Sequence, residues 1–312
     1  MLINRRRRAL RGALAATVVT VATAATAGSA YAVGDPAAAG VSAEQRAQDV
    51  RAPGARAAAA DDAPVETPSF TMSAVRKSSG VLYHYYPDHQ GGFDPRYEVG
   101  VNFEAFADSI SVDNDKDGRS DGTWHLRKDG TLTFGWIDDD LKYHTTQAGW
   151  GWNIYTSVLS PGSIGGAQEA DLIGLDKAGV LWGYLGYPDG RLTARTRIGG
   201  GWGQYTQLAG QGDLTGDGRA DIVARDRSGV LWLYKGTGNY KAPFAARTVI
   251  GGGWNAYDRL LSVGDLDADG RADLIACKPD GDLLRYSGTG DAQVPFQKPV
   301  KIGYGFQNYN LL

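Results

Sequence analysis

Ile198-Gly199-Gly200-Gly201-Trp202 with Tyr205, and Ile250-Gly251-Gly252-Gly253-Trp254 with Tyr257, are two copies of one element: a glycine turn, an aromatic ring, and a second ring three residues on. Three further copies are Val99-Gly100-Val101-Asn102-Phe103 with Phe106, Gly149-Trp150-Gly151-Trp152 with Tyr155, and Ile302-Gly303-Tyr304-Gly305-Phe306 with Tyr309. The first aromatics lie 49, 50, 52 and 52 residues apart, close to the roughly 40 to 50 residues that one four-stranded propeller blade occupies. Each period holds short runs such as Ile222-Val223-Ala224-Arg225, Val230-Leu231-Trp232-Leu233-Tyr234, Arg247-Thr248-Val249-Ile250 and Tyr257 to Val263, bounded by Gly and Asp turns. Such β-branched and aromatic runs are strands, and no segment sustains a helical period. The expected fold is all-β, a β-propeller of five blades with four antiparallel strands each.

The repeats run as units of about 70–108, 109–162, 163–212, 213–264 and 265–312. The first lacks a good strand ahead of its hairpin at Gly80, whereas the chain ends on a spare strand start at Tyr309-Asn310-Leu311-Leu312. A C-terminal strand that joins the first blade would close the ring and remove its open edges.

Ahead of the repeats, residues 1–32 read as an export signal: Arg5 to Arg8 and Arg11, an Ala/Val/Thr stretch from Ala13 to about Ala25, and the small-residue exit Ala30-Tyr31-Ala32. That apolar stretch is shorter than the roughly 20 residues a membrane span needs. Cleavage is expected before Val33, and the paired arginines leave a twin-arginine route open beside the general one. The segment 33–69 is Ala/Pro-rich with almost no large apolar side chain, and is read as a disordered linker or propeptide. Losing the five leader arginines takes the formal charge from -3 to about -8, that is -3 minus 5, which argues against nucleic acid as a partner. The single cysteine, Cys277, excludes an internal disulfide and sits in an apolar strand as a small hydrophobe. A secreted, extracellular chain without disulfides needs another source of rigidity.

Three aspartate loops supply a candidate. Asp113, Asp115, Asp117 and Asp121 occupy loop positions 1, 3, 5 and 9 around Gly118; Asp265, Asp267, Asp269 and Asp273 repeat this around Gly270; Asp213, Thr215, Asp217 and Asp221 repeat it around Gly218 with one substitution. Alternating carboxylates on a tight turn converge on one point and suit a hard cation that takes 6 to 8 oxygen ligands. The backbone carbonyls of Arg119, Arg219 and Arg271, at position 7, complete the expected ligand set for about three Ca2+ ions. Position 12 holds Trp124, Ala224 and Ala276 in place of the bidentate Glu of a helix-loop-helix site, so strands are expected on either side. Thr215 removes one charge and makes its site the weakest of the three. The third unit, Ser163 to Asp171, keeps only its final Asp and is expected to hold no ion.

The run Gly264-Asp265-Leu266-Asp267-Ala268-Asp269-Gly270-Arg271-Ala272-Asp273, followed by an apolar strand and a Gly-x-Leu hairpin, resembles the FG-GAP/VCBS repeats of integrin-type propellers and of many exported actinobacterial proteins. The resemblance covers about 190 residues. It implies a calcium-binding propeller that serves adhesion or ligand binding. The Ile-Gly-Gly-Gly-Trp-x-x-Tyr elements are also similar to tachylectin-type five-bladed lectins, a resemblance that implies sugar binding.

No catalytic apparatus emerges from the sequence. His84, His89, His125 and His144 form no metal-binding or triad-like set, and Asp138-Asp139-Asp140 reads as a hairpin tip. The expected function is a secreted, non-catalytic binding module whose inter-blade clefts offer Trp152, Trp202, Trp254, Tyr205 and Tyr257 to a cell-surface or cell-wall glycan, with packing of blade against blade as the competing role of each Trp. A calcium-stabilised scaffold for an extracellular protein is the alternative; a secreted polysaccharide hydrolase is a further one.

Overall fold

The computed structural model describes residues 67–138, 140 and 142–312, together with the backbone of Ala37–Ala38. The export signal, the rest of the segment read as linker, and Asp139 lie outside the described residues.

Ala37–Ala38 forms a two-residue strand, β1. The blade strands then follow in chain order. The first set is β2 (Met72–Arg76), β3 (Val81–Tyr85) and β4 (Tyr97–Asn102). The second is β5 (Phe106–Val112), β6 (Gly122–Arg127), β7 (Leu132–Ile137) and β8 (Tyr143–Trp150). The third is β9 (Tyr155–Gly162), β10 (Asp171–Asp176), β11 (Leu181–Tyr184) and β12 (Thr196–Gly199); the fourth is β13 (Tyr205–Ala209), β14 (Ile222–Asp226), β15 (Leu231–Tyr234) and β16 (Thr248–Gly251). The fifth is β17 (Arg259–Gly264), β18 (Asp273–Cys277), β19 (Leu283–Tyr286) and β20 (Val300–Gly303), and the chain ends on β21 (Tyr309–Leu311).

These pair into five antiparallel sheets. The orders are β21-β2-β3-β4, β5-β6-β7-β8, β9-β10-β11-β12, β13-β14-β15-β16 and β17-β18-β19-β20, with β1 added outside β8. The fold is the expected all-β five-bladed propeller. β21 closes it: Ala74 faces Leu311, Val75 faces Asn310 and Arg76 faces Tyr309, so the end of the chain is the innermost strand of the first blade. The phasing differs from that of the sequence units. The run from Tyr257 to Val263 falls largely in β17, which pairs with β18 of the next blade and not with β16. The aspartate loop therefore connects the first and second strands of a blade; the sequence units that begin at 70, 163, 213 and 265 start one strand late, and the one that begins at 109 starts within β5.

Five apolar clusters fill the five seams between neighbouring blades. Trp124, Leu132 and Phe134 meet Trp152 and Tyr184 in one; Ile173, Leu181 and Trp202 meet Ile222 in the next; Leu231 and Trp254 meet Leu274 in a third. The glycine-aromatic element forms the seam. Gly151, Gly201, Gly253 and Gly305 take φ of 79°, 86°, 89° and 84°, left-handed values that an L side chain resists. A short 3-10 turn follows each. The amide of the aromatic then donates to a hairpin glycine carbonyl of the blade behind: Phe103 to Gly80 (2.7 Å), Trp152 to Gly130 (3.0 Å), Trp202 to Gly179 (2.9 Å), Trp254 to Gly229 (3.0 Å) and Phe306 to Gly281 (3.1 Å). Its ring packs on the blade ahead, with centroid separations of 4.5 Å for Trp152 on Tyr184, 4.4 Å for Trp202 on Tyr234, 4.8 Å for Trp254 on Tyr286 and 5.1 Å for Phe306 on Tyr85.

The seam between the first two blades carries two half-buried imidazoles. His125 sets its ring edgewise to Phe103 and Phe106, at 5.7 and 6.1 Å, with Ser109 Oγ 3.2 Å from Nδ1. Burial lowers the pKa of His84 and of His125 from 6.5 to about 4.

Two outcomes are expected. Leu311, buried on the closing strand, should cost about 2 to 4 kcal/mol when changed to Ala, as measured by denaturant unfolding; a cost near zero would mean the ring does not depend on that closure. Between pH 6.5 and 4 the unfolded chain binds the two histidine protons and the folded chain does not, so stability should fall as pH drops through this window. The melting temperature should decline less steeply in a His84→Gln, His125→Gln variant, and an equal slope would place the acid sensitivity elsewhere.

Candidate functional site: the aspartate loops and the two faces of the ring

The inner strands β5, β13 and β17 each run to an aspartate loop, β9 runs to the equivalent loop at 163–171, and each second strand returns to a hairpin beside the glycine-aromatic turn. The aspartate loops and the connections between third and fourth strands therefore share one face of the ring. The hairpins and glycine-aromatic turns share the other.

The three loops have one backbone. Position 4 is left-handed at Lys116 (φ 62°), Gly216 (76°) and Ala268 (58°), and position 6 is left-handed at Gly118, Gly218 and Gly270. The position 1 carboxylate accepts the position 6 amide: Gly118 to Asp113 at 2.9 Å, Gly218 to Asp213 at 2.6 Å and Gly270 to Asp265 at 2.7 Å. The amides of Arg119, Arg219 and Arg271 donate to Asp117, Asp217 and Asp269, at 3.0, 3.2 and 3.0 Å.

Those contacts hold Asp113, Asp115 and Asp117 so that one carboxylate oxygen from each lies within 4.8 Å of the others, and Asp265, Asp267 and Asp269 likewise. Bringing like charges together is costly. The Asp113 carboxyl is pushed up to about 7, by burial first and by the charges of Asp121 and Asp117 after it. The middle loop brings no third carboxylate, because Thr215 stands at position 3, and Lys235 Nζ reaches Asp217 at 3.3 Å. In the last loop Arg285 meets Asp267 at 3.0 Å, and Ser287 Oγ donates to the same oxygen at 3.0 Å.

The position 9 aspartates accept backbone amides. Asp221 accepts the Leu214 amide at 3.0 Å on one oxygen and the Gly236 amide at 2.8 Å on the other; Asp273 accepts those of Leu266 (3.1 Å) and Gly288 (3.0 Å). Asp171, in the loop that lacks the other carboxylates, makes the same pair with Ile164 (2.7 Å) and Gly186 (2.9 Å). Asp121 accepts from Asn114 (2.7 Å) and Asp115 (3.1 Å). Asp171, Asp221 and Asp273 brace their loops against their own blades, whereas Asp121 ties together the turn of its own loop.

Burial also corrects the expected role of the aromatic rings. Trp152 is 0% exposed, Trp202 and Trp254 are 7% exposed, and Tyr205 is buried with them. The Tyr205 hydroxyl pairs with that of Tyr234 at 2.6 Å, and Tyr257 pairs with Tyr286. These rings are seam packing, since the turn that presents them also points them between blades. Trp182 and Trp232 are half-buried. Their indole N–H groups donate to Asp176 (2.9 Å) and Asp226 (2.8 Å), and the guanidinium carbons of Arg195 and Arg247 lie 3.9 Å over their rings. Among the described residues three rings are exposed: Tyr97 at 50% on β4, Trp150 at 54% and Tyr304 at 82%. Trp150 and Tyr304 replace the middle glycine of the Gly-Gly-Gly-Trp turn, and that replacement is the signal the sequence held.

The groups considered for catalysis are hairpin and core elements. Asp138 accepts the amides of Asp140 (3.0 Å) and Lys142 (2.9 Å) and lies 2.6 Å from His144 Nε2, whose ring stacks on Trp136. Cys277 is buried, which raises its thiol to about 11. Among the described residues no helix is long and apolar enough to cross a membrane.

No curated protein matches the chain in sequence. Among solved structures, the BP39L lectin from Burkholderia pseudomallei is 12% identical, covering 76% of this chain and 71% of its own, with a TM-score of 0.40. The fucose-specific lectin from Aleuria aurantia is 14% identical over 77% of this chain and 81% of its own, also at 0.40. The Nup133 β-propeller domain of Vanderwaltozyma polyspora is 11% identical over 76% and 74%, at 0.38. The chain spans 58% of yeast RCC1 and 65% of human WBSCR16, each at 12% identity, with TM-scores of 0.35 and 0.33. Residues 213–276, from the middle aspartate loop through most of β18, match the model of the FG-GAP-like repeat, and the chain is thus a five-bladed β-propeller that carries an FG-GAP-like repeat.

Proposed function

We propose that the chain is an exported, non-catalytic binding propeller, held rigid by calcium on one face and presenting aromatic rings to extracellular carbohydrate on the other. The observation that carries the calcium reading is the convergence of three carboxylates in each of two loops. A hard divalent cation relieves that repulsion, and Asp113, Asp115 and Asp117, with Asp265, Asp267 and Asp269, would hold it alongside the carbonyls of Arg119 and Arg271. The middle loop, with Asp213, Thr215 and Asp217 and with Lys235 on Asp217, is the weakest of the three. Export of the chain, through the leader at 1–32, places the sites where calcium is abundant and where the lack of a disulfide has to be offset.

For the carbohydrate reading, exposed flat rings suit the apolar faces of sugars. Trp150 and Tyr304 are such rings, and they share one repeat position on the face away from the aspartate loops.

Chelation should lower the melting temperature, and re-added calcium at about 100 times its Kd should restore about 2.7 kcal/mol per site. Asp115→Ala should remove part of the response and Thr215→Ala almost none; a melting temperature indifferent to chelator would refute the metal reading. On a calcium-replete glycan array, Trp150→Ala with Tyr304→Ala should reduce retention severalfold at unchanged melting temperature, while Trp254→Ala lowers the melting temperature. Retention equal to that of the unaltered chain would remove both rings from the site.

A further inference from the structure

The seams between blades are not equally filled. Between the fourth and fifth blades, Arg225 of β14 crosses the gap: its guanidinium donates to Thr206 Oγ1 at 3.1 Å, to the Trp254 carbonyl at 3.0 Å and to the Tyr257 carbonyl. Beside it, Gln207 of β13 donates to the Asp258 carbonyl and accepts the Leu260 amide at 2.6 Å. Together these two side chains plug the inner end of that seam.

One blade back, register places Leu175 where Arg225 stands, since each faces the first leucine of the third strand, and Ser157 where Gln207 stands. Leucine and serine cannot make the same crossing. A cleft opens there on the hairpin face, between the third and fourth blades, with Thr156, Ser157 and Thr206 on its wall. Ser157 also borders the space between the inner strands.

The charges at the cleft do not balance. Lys177 and Arg227, both exposed, come to it from neighbouring hairpins. Neither has a carboxylate at ion-pair distance among the described residues, and Arg227 donates only to the Gly203 carbonyl, at 3.1 Å. The one acid on the wall, Asp176, is spent on its own hairpin: it accepts the Ala178 and Val180 amides at 2.9 Å each and the Trp182 indole at 2.9 Å. Thr156 and Thr206 already donate to the Leu175 and Arg225 carbonyls, at 3.1 and 3.2 Å, and keep acceptor capacity. With the Ser157 hydroxyl and two cations at the mouth they match a ligand that is polyhydroxylated and carries one carboxylate.

We propose that the cleft between the third and fourth blades is a binding site for a uronic acid residue of an acidic glycan, with Lys177 and Arg227 on its carboxylate and the threonine and serine hydroxyls on its ring. The site rests on the carbohydrate reading above but is separate from Trp150 and Tyr304.

The test is calorimetric titration of the calcium-loaded full chain with a glucuronate-terminated oligosaccharide and with the same oligosaccharide after reduction of its carboxyl to the alcohol. The acid should bind at least tenfold more tightly than the reduced form, and the gap should narrow between about 50 and 200 mM salt as the charges are screened. Lys177→Ala with Arg227→Ala, both at exposed positions, should erase the difference without moving the melting temperature. Ser157→Gln, which copies the plugged seam, should abolish binding of the acid, and Leu175→Arg should do the same if it folds. Equal affinity for the acid and the reduced form, or an acid affinity untouched by Ser157→Gln, overturns the site. If neutral glycans are still retained through Trp150 and Tyr304 in that event, the general carbohydrate reading survives; if no carbohydrate of either kind binds, both fall.

Discussion

The ring depends on the double attachment of one residue per repeat. In four of the five repeats the aromatic follows a glycine in a left-handed turn, and Phe103 follows Asn102 instead. In all five the aromatic amide is tied to the hairpin of the blade behind, and the ring packs in the seam with the blade ahead. Covalent connection, hydrogen bond and apolar contact then act at one point, so neighbouring blades cannot slide or splay independently. Hairpin glycines complete the arrangement. A Cβ on Gly179 would lie 2.7 Å from the backbone of Gly203, and one on Gly229 would lie 2.8 Å from the Asn255 side chain, so the close approach that lets the carbonyl receive the aromatic amide needs glycine on the hairpin as well.

With the blades fixed this way, the two faces are free to do separate things. On one, Asp171, Asp221 and Asp273 at position 9 tie their loops to their own blades through backbone amides, including the third blade with its single loop aspartate. The fold of the loop and its charge are thus uncoupled: positions 1, 3 and 5 can gain or lose acid without undoing the loop. Two loops retain the full set, the middle one has exchanged an acid for Thr215 and brought in Lys235, and the third has discarded the set. Basic residues reach in where charge persists, as Arg285 does at Asp267, which shows how the chain moderates the repulsion from within its own sequence.

Much of this was legible beforehand, and for identifiable reasons. Spacing of the first aromatics gave the blade count because one contact per seam must recur once per blade. The missing strand at the start and the surplus strand at the end pointed to closure through β21. Phase was misread because the aspartate loop is the loudest marker in the sequence, yet it sits inside a blade, whereas the boundary between blades is the quieter glycine-aromatic turn. Trp152, Trp202 and Trp254 were offered to a ligand because a conspicuous ring near a turn resembles a binding residue; what places them in the seam is the turn's geometry, which a sequence carries only implicitly. Trp150 and Tyr304 escaped notice because they appear as departures from a glycine consensus and belong to no motif of their own.

The seams follow the same logic as the loops. A residue that the repeat requires, such as the aromatic or its hairpin glycine, is held in every blade by packing or backbone conformation: the ring is Phe or Trp at all five seams and the hairpin residue is glycine at all five. A residue at the inner edge of the seam is under no such demand: Arg225 and Gln207 fill the space in one seam, while Leu175 and Ser157 leave it empty in the next. Distinct chemistry on a repeated scaffold therefore collects where the repeats differ without cost to closure, and the positions that differ most between equivalent blades carry the most information about what this ring binds.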